Sequence, residues 1–171
     1  MMRTCLKFMS LAVSLGVGAL VLPAGAVLAA GTEEPAMHFY NSPAAVASKP
    51  PFSQAVRVGD VLYLSGSLGN VPGTRELVPG GMEAEARQTM ENIGAVLRYC
   101  GLDFADIVKC TVMLADMSEW AEFNKIYVNY FAPDRLPARS ALGANGLALG
   151  AKVEVECIAR FPEGTARVIP I

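Results

Sequence analysis

Histidine is nearly missing from this chain. The single one, His38, lies in a polar, proline-spotted stretch ahead of the first patterned segment, where a solvated linker position is expected. With no histidine beyond it, a Ser-His-Asp or Cys-His engine is excluded, and so are histidine-based zinc sites. Cysteine is scarce. Once Cys5 is set aside with the N-terminus, Cys100, Cys110 and Cys157 remain, an odd count without metal-ligand spacing and no disulfide framework. Cys110 and Cys157 fall on apolar strand faces and are expected as small, unbridged core residues. An oxidising compartment would leave a bridge between two of the three open. Positive charge is also short: 14 Lys and Arg stand against 16 Asp and Glu, for a net −2. No basic patch forms, which argues against a nucleic-acid partner. The loop from Gly66 to Gly81 matches neither a phosphate loop nor a dinucleotide fingerprint. Catalysis here would have to use carboxylates, arginine, hydroxyls, backbone amides and water.

The one long apolar run is N-terminal. Arg3 and Lys7 precede Phe8 to Leu22, broken only by small residues; Pro23 and further small residues lead to Ala30. This is the pattern of a secretory signal peptide cut after Ala29 or Ala30, which predicts a periplasmic or secreted protein with no stable membrane anchor after cleavage. An uncut run of this length could reach across a bilayer. Loss of Arg3 and Lys7 takes the formal charge from −2 to −4. Residues 31–51 read as an extended leader, and residues 52–171 as one domain of a size that holds a modest core.

Within that domain, Ala55 to Val58, a Gly59-Asp60 turn and Val61 to Ser65 predict a hairpin. Gly66 to Gly80 reads as a loop. Met82, Ala86, Met90, Ile93, Leu97 and Cys100 recur at helical spacing over Gly81 to Cys100, and Gly101 stops the helix. Asp106 to Ala115 alternates as a strand. Asp116 and Glu119 fit a capping box for a second helix with a buried stripe of Phe123, Ile126, Tyr127 and Tyr130, ended by Pro133. A last strand runs to Phe161. The order β-β-α-β-α-β predicts an α/β (α+β) mixed sheet with both helices on one face. The other face then needs a cover, which favours oligomerisation.

The most informative stretch lies near the C-terminus. Pro137-Ala138-Arg139-Ser140 opens a glycine-rich loop that leads into Lys152-Val153-Glu154-Val155-Glu156-Cys157. The alternation puts Glu154 and Glu156 on one face and Val153, Val155 and Cys157 on the other. An arginine grips a carboxylate through two parallel hydrogen bonds, and a glutamate can orient or deprotonate water. Together they suit a small anionic substrate attacked by water. The competing reading of the same pattern is a structural ion pair between Arg139 and Glu154 or Glu156.

These residues also resemble a known family. Pro137-Ala138-Arg139-Ser140 and Val153-Glu154-Val155-Glu156 look like the signature of the RidA (YjgF) family. So do Pro51-Phe52-Ser53-Gln54, Leu64-Ser65-Gly66, the helix segment Ala86 to Ile93, the strand segment Asp106 to Val112, and Phe123-Asn124 with Tyr127. The resemblance covers about residues 40 to 160. It implies a chorismate-mutase-like fold, a homotrimer with clefts between subunits, and hydrolysis of reactive 2-imino acids and their enamine tautomers to 2-keto acids and ammonia, with no cofactor and no metal. It implies that Arg139 holds the substrate carboxylate, helped by backbone amides near Ala141, and that Glu154 positions the attacking water. Ser65, Gly66, Asn124 and Phe52 would line the rest of the cleft. Four residues depart from the family's usual pattern: Phe52 where tyrosine is common, Ser67 where glutamine is common, Ala141 where cysteine is common, and Asn145, unusual in the signature loop. These departures keep a second class of function in view, a non-enzymatic trimer that binds a small carboxylate or acts as a holdase. Ribonuclease activity, sometimes attributed to this family, fits poorly with an acidic domain that lacks histidine.

Overall fold

The computed structural model describes residues 37–163, and the signal-peptide segment expected at the N-terminus lies outside them. The hairpin forms where its alternation places it, with β2 at Ala55–Val58 and β3 at Val61–Leu64. Ala55, Arg57, Leu62 and Leu64 turn inward. The stretch expected as an extended leader contributes two elements. Met37–Tyr40 is strand β1, antiparallel to β2, and Pro43–Ser48 is a short helix, α1, capped by the Ser42 side chain. His38 therefore sits in a strand opposite Arg57, with its Nε2 buried, rather than in solvated linker.

The long helix α2, Gly81–Tyr99, buries Met82, Ala86, Met90, Ile93 and Leu97 in one stripe. Gly101, at φ 78°, ends it: the Leu102 N–H reaches back to the Leu97 carbonyl, the backbone closure that only a left-handed residue permits cheaply. Strand β5, Ile107–Leu114, follows. The expected capping box resolves differently. Asp116 caps a single 3₁₀ turn, Met117–Glu119, by accepting from the Ser118 N–H, while Glu119 pairs with Lys152 at 2.8 Å. Helix α3 starts one residue later, at Trp120–Tyr127, and buries Phe123, Ile126 and Tyr127.

Two further strands interrupt what reads as loop. Ser67–Leu68 (β4) pairs with the last strand, β7, Val153–Arg160. Ala138–Gly143 (β6) runs parallel to β5 at the sheet edge, so Arg139 is held in a strand rather than at the mouth of a flexible loop. The sheet order is β1-β2-β3-β7-β5-β6, with β4 beside β7. One face carries the core: Leu62, Leu64, Cys110, Val112, Leu114, Val153, Val155, Cys157 and Ala159 meet α2 and α3. The other face leaves Tyr63, Val108 and Leu142 about half exposed, at 48%, 48% and 46%.

The cysteines depart from expectation. Cys110 and Cys157 are disulfide-bonded, and Cys100 is free and buried. The bridge follows from register. The two residues are direct partners on β5 and β7, with Cα atoms 4.2 Å apart, the narrow kind of antiparallel pair that brings facing side chains closest.

Candidate active site

Register decides which side of the sheet each candidate residue occupies. Cys110 is the partner of Cys157 on β7 and of Arg139 on β6. Side chains of paired residues share a face, so Arg139 belongs to the helix-covered side. Glu154 lies three residues before Cys157, an odd step, and so belongs to the bare side. The contacts agree. Arg139 Nη1 donates to Asn124 Oδ1 at 2.7 Å, and its guanidinium carbon stands 4.8 Å from the centroid of the Tyr127 ring; both partners are on α3. Arg139 and Glu154 are thus not an ion pair. Among the described residues Arg139 has no carboxylate partner.

The candidates fall into two groups. The first is Arg139, Asn124 and Ala141, the last two residues along β6 from Arg139 and packed against the core. Asn124 accepts one N–H, which leaves four of the guanidinium's five for another acceptor. Tyr127, given no site role by the sequence, belongs here as well. Its spacing from Asn124, three residues on a helix, is the signal that could have placed it beside Arg139.

The second group surrounds Glu154. Tyr63 pairs with Ile158 and Ser67 with Val155, so three residues on one side, Leu64 to Gly66, face two on the other. This is a bulge, and it re-aims the chain beside Glu154. Gly66 lies so close that a Cβ there would overlap Glu154 Oε1 and stand 2.9 Å from its Cδ. Ser65 Oγ donates to the Ser53 carbonyl at 2.7 Å, and Ser65 N–H donates to the Gln54 carbonyl at 3.0 Å. These bonds bring the turn bearing Phe52, which is 56% exposed, against the bulge. Gln54 and Asn41 fix that turn from below: Gln54 N–H donates to Asn41 Oδ1, and Gln54 Oε1 accepts from Ser42 N–H. The sequence gives neither a positioning role, because their partners lie across a gap of 12 or 13 residues.

Burial raises the Glu154 carboxyl above its ordinary value, and the like charge of Glu156 on the same face raises it further. This moves the group toward the range useful to a general base near neutrality. Glu156 is exposed. A groove of about 430 Å³ beside α2, between Gly80, Arg87 and Glu91, contains neither Arg139 nor Glu154. Among the described residues no group of three or more His, Cys, Asp and Glu could hold a metal ion.

Comparison with known proteins gives one consistent family. Residues 42–161 match the family model described as Endoribonuclease L-PSP. The mouse 2-iminobutanoate/2-iminopropanoate deaminase is 45% identical over 119 residues, covering 70% of this chain and 85% of that protein. The human protein of the same name is 41% identical over 109 residues, covering 64% and 79%. Among solved structures, one titled YEO7_yeast superposes with a TM-score of 0.69 at 32% identity, covering 74% of this chain and all of that one. RidA from an Antarctic Psychrobacter superposes with a TM-score of 0.62 at 39% identity, covering 66% and 89%.

Proposed function

The chain belongs to the RidA family, and from that premise we propose that it hydrolyses reactive 2-imino acids to 2-keto acids and ammonia. The observation that carries this reading is Arg139: a half-buried guanidinium, oriented by Asn124, with no carboxylate to neutralise it among the described residues. A charge left without its counterion is costly unless an anion completes it, and a planar fork favours a carboxylate.

The proposed site is assembled between copies. Arg139 and Glu154 lie on opposite faces of one sheet, so a single chain cannot bring both to one small substrate. Exposed Tyr63, Val108 and Leu142 on the bare face supply apolar surface for a second copy to cover. In a homotrimer, Arg139, Asn124 and the backbone at Ala141 of one copy would face Glu154, Ser65, Gly66 and Phe52 of the next. Arg139 fixes the substrate carboxylate and with it the imine carbon. Glu154 takes a proton from water as its oxygen bonds to that carbon. The C=N bond becomes a C–N single bond in a carbinolamine. That proton passes to nitrogen, completing the amine of the carbinolamine; the carbinolamine hydroxyl proton then moves to the same nitrogen by way of Glu154, ammonia leaves with the C–N bonding pair, and the carbon–oxygen bond becomes the ketone. One water is consumed and no electrons are exchanged, so the step needs no cofactor.

Export to the periplasm or beyond is part of the proposal. The N-terminal pattern of Arg3, Lys7 and the apolar run supports it, as does a bridged Cys110–Cys157 pair, which suits an oxidising compartment.

An amino-acid oxidase coupled to semicarbazide trapping tests the activity. Native protein should lower semicarbazone yield, and Arg139→Ala and Arg139→Lys should not. Equal trapping with native protein and both variants would reject deamination. Carboxylate binding that depends on Arg139, without any rate effect, would identify a binding module instead.

A further inference from the structure

Arg139 is held from two directions, and only one of them is a hydrogen bond. Asn124 Oδ1 accepts from Nη1 at 2.7 Å. The other support is the face of the Tyr127 ring, 4.8 Å from the guanidinium carbon, within the range of a cation–π contact. Asn124 and Tyr127 are three residues apart on α3, so one helix face presents both. We propose that Tyr127 is a positioning residue whose ring is the platform that fixes the plane of the Arg139 guanidinium, so that the N–H groups not used by Asn124 face the substrate carboxylate. This rests on the carboxylate-anchoring role proposed for Arg139.

The platform is itself fixed. The Tyr127 ring packs between Phe123, at 5.5 Å between centroids, and Phe131, at 4.8 Å. Phe131 in turn meets Phe104 edge-on at 5.7 Å. Rings so enclosed cannot tilt without displacing their neighbours. An arginine on an edge strand would otherwise sample many rotamers, and ordering them on binding costs affinity. A ring that already defines the plane removes part of that cost before the ligand arrives.

The hydroxyl is not what this position uses. Tyr127 Oη is buried and has no hydrogen-bond partner among the described residues, an arrangement that costs stability. Burial pushes the group up to about 12, against the opposing pull of the Arg139 charge, so it neither supplies nor takes a proton near neutrality. The remaining asset is the ring face. Phenylalanine should therefore replace Tyr127 without loss, and leucine, which fills the core but has no π face, should not.

Calorimetric titration with 2-oxobutanoate, a stable keto acid bearing the relevant carboxylate, separates these variants without requiring turnover. Tyr127→Phe should bind within about twofold of native, and Tyr127→Leu about five- to tenfold more weakly. A second readout needs no ligand and no leucine variant. The Arg139 Nε–H resonance, assigned by its loss in Arg139→Lys, should lie upfield under the ring current in native protein and in Tyr127→Phe. The inference is overturned by an unshifted Arg139 resonance in native protein, by absence of 2-oxobutanoate binding, or by a folded Tyr127→Leu that binds as native does. Tyr127-dependent binding in a protein that does not hasten imine decay would sustain the platform and reject the deaminase.

Discussion

The two faces of one sheet are built differently. The helix-covered face is packed by α2 and α3, and one of its polar residues, Arg139, is braced by Asn124 and Tyr127. The bare face is open, and one of its two β7 carboxylates, Glu154, stands beside a bulge where only the missing Cβ of Gly66 makes room. The first face orients a cation and the second unsettles an anion. Binding a carboxylate needs the former, and activating water needs the latter. Their separation by the sheet is why the proposed site calls for a second copy of the chain.

Breaking either side should have the largest effect. Arg139→Ala is expected to lower kcat/KM at least about a hundredfold, the scale on which a desolvated charge contact is lost, measured by semicarbazone formation. Glu154→Gln should be comparably inactive, yet it sharpens the contrast between the faces through stability. The Glu154 carboxyl is raised above 4.5 in the folded chain, so ionising it works against folding. Its stabilising contribution is present below the unfolded value and is lost as pH rises through the folded one. Thermal denaturation should therefore find Glu154→Gln at least as stable as native protein at pH 7, and no different at pH 4.

Gly66→Ala probes the bulge. The added methyl meets the end of a flexible side chain, so Glu154 swings aside at little cost in stability but out of register with the substrate. A drop of about tenfold or more in kcat with a nearly unchanged Tm is expected. Reduction of the Cys110–Cys157 bridge, or the double change to Ala, acts on the helix-covered face instead. It opens a loop of sequence separation 47 and should lower stability by about 2–4 kcal/mol in a denaturant titration. The smallest effect belongs to Glu156→Gln. Removing that like charge lowers the Glu154 carboxyl, so the acid limb of the pH–rate profile should move to lower pH.

Much of the frame was legible because it is periodic. The stripe from Met82 to Leu97 and the alternation from Val153 to Ala159 each carry enough repeats to declare a helix or a strand. The missed strands carry too few. Met37–Tyr40, Ser67–Leu68 and Ala138–Gly143 are short or small-residue segments whose extended form is imposed by pairing with distant strands. The loss of β6 mattered most. Residue type and motif single out Arg139 and Glu154 for the roles proposed here, but the face of Arg139 could not be read without knowing that it lies in a strand and pairs with Cys110. The same register sets Cys110 opposite Cys157, a proximity that composition and cysteine count do not reveal.

Mixing two inactive variants tests the shared site most directly. Arg139→Ala and Glu154→Gln chains, differently tagged, would be co-expressed and the mixed assemblies purified through both tags. A cleft built from Arg139 of one copy and Glu154 of its neighbour regains an intact pair wherever the Glu154→Gln chain supplies the arginine and the Arg139→Ala chain supplies the glutamate. Every mixed trimer selected by both tags then holds one intact cleft in three, so the purified assemblies should show about a third of the native rate. Mixed assemblies as inactive as either parent would mean that Arg139 and Glu154 do not meet across copies.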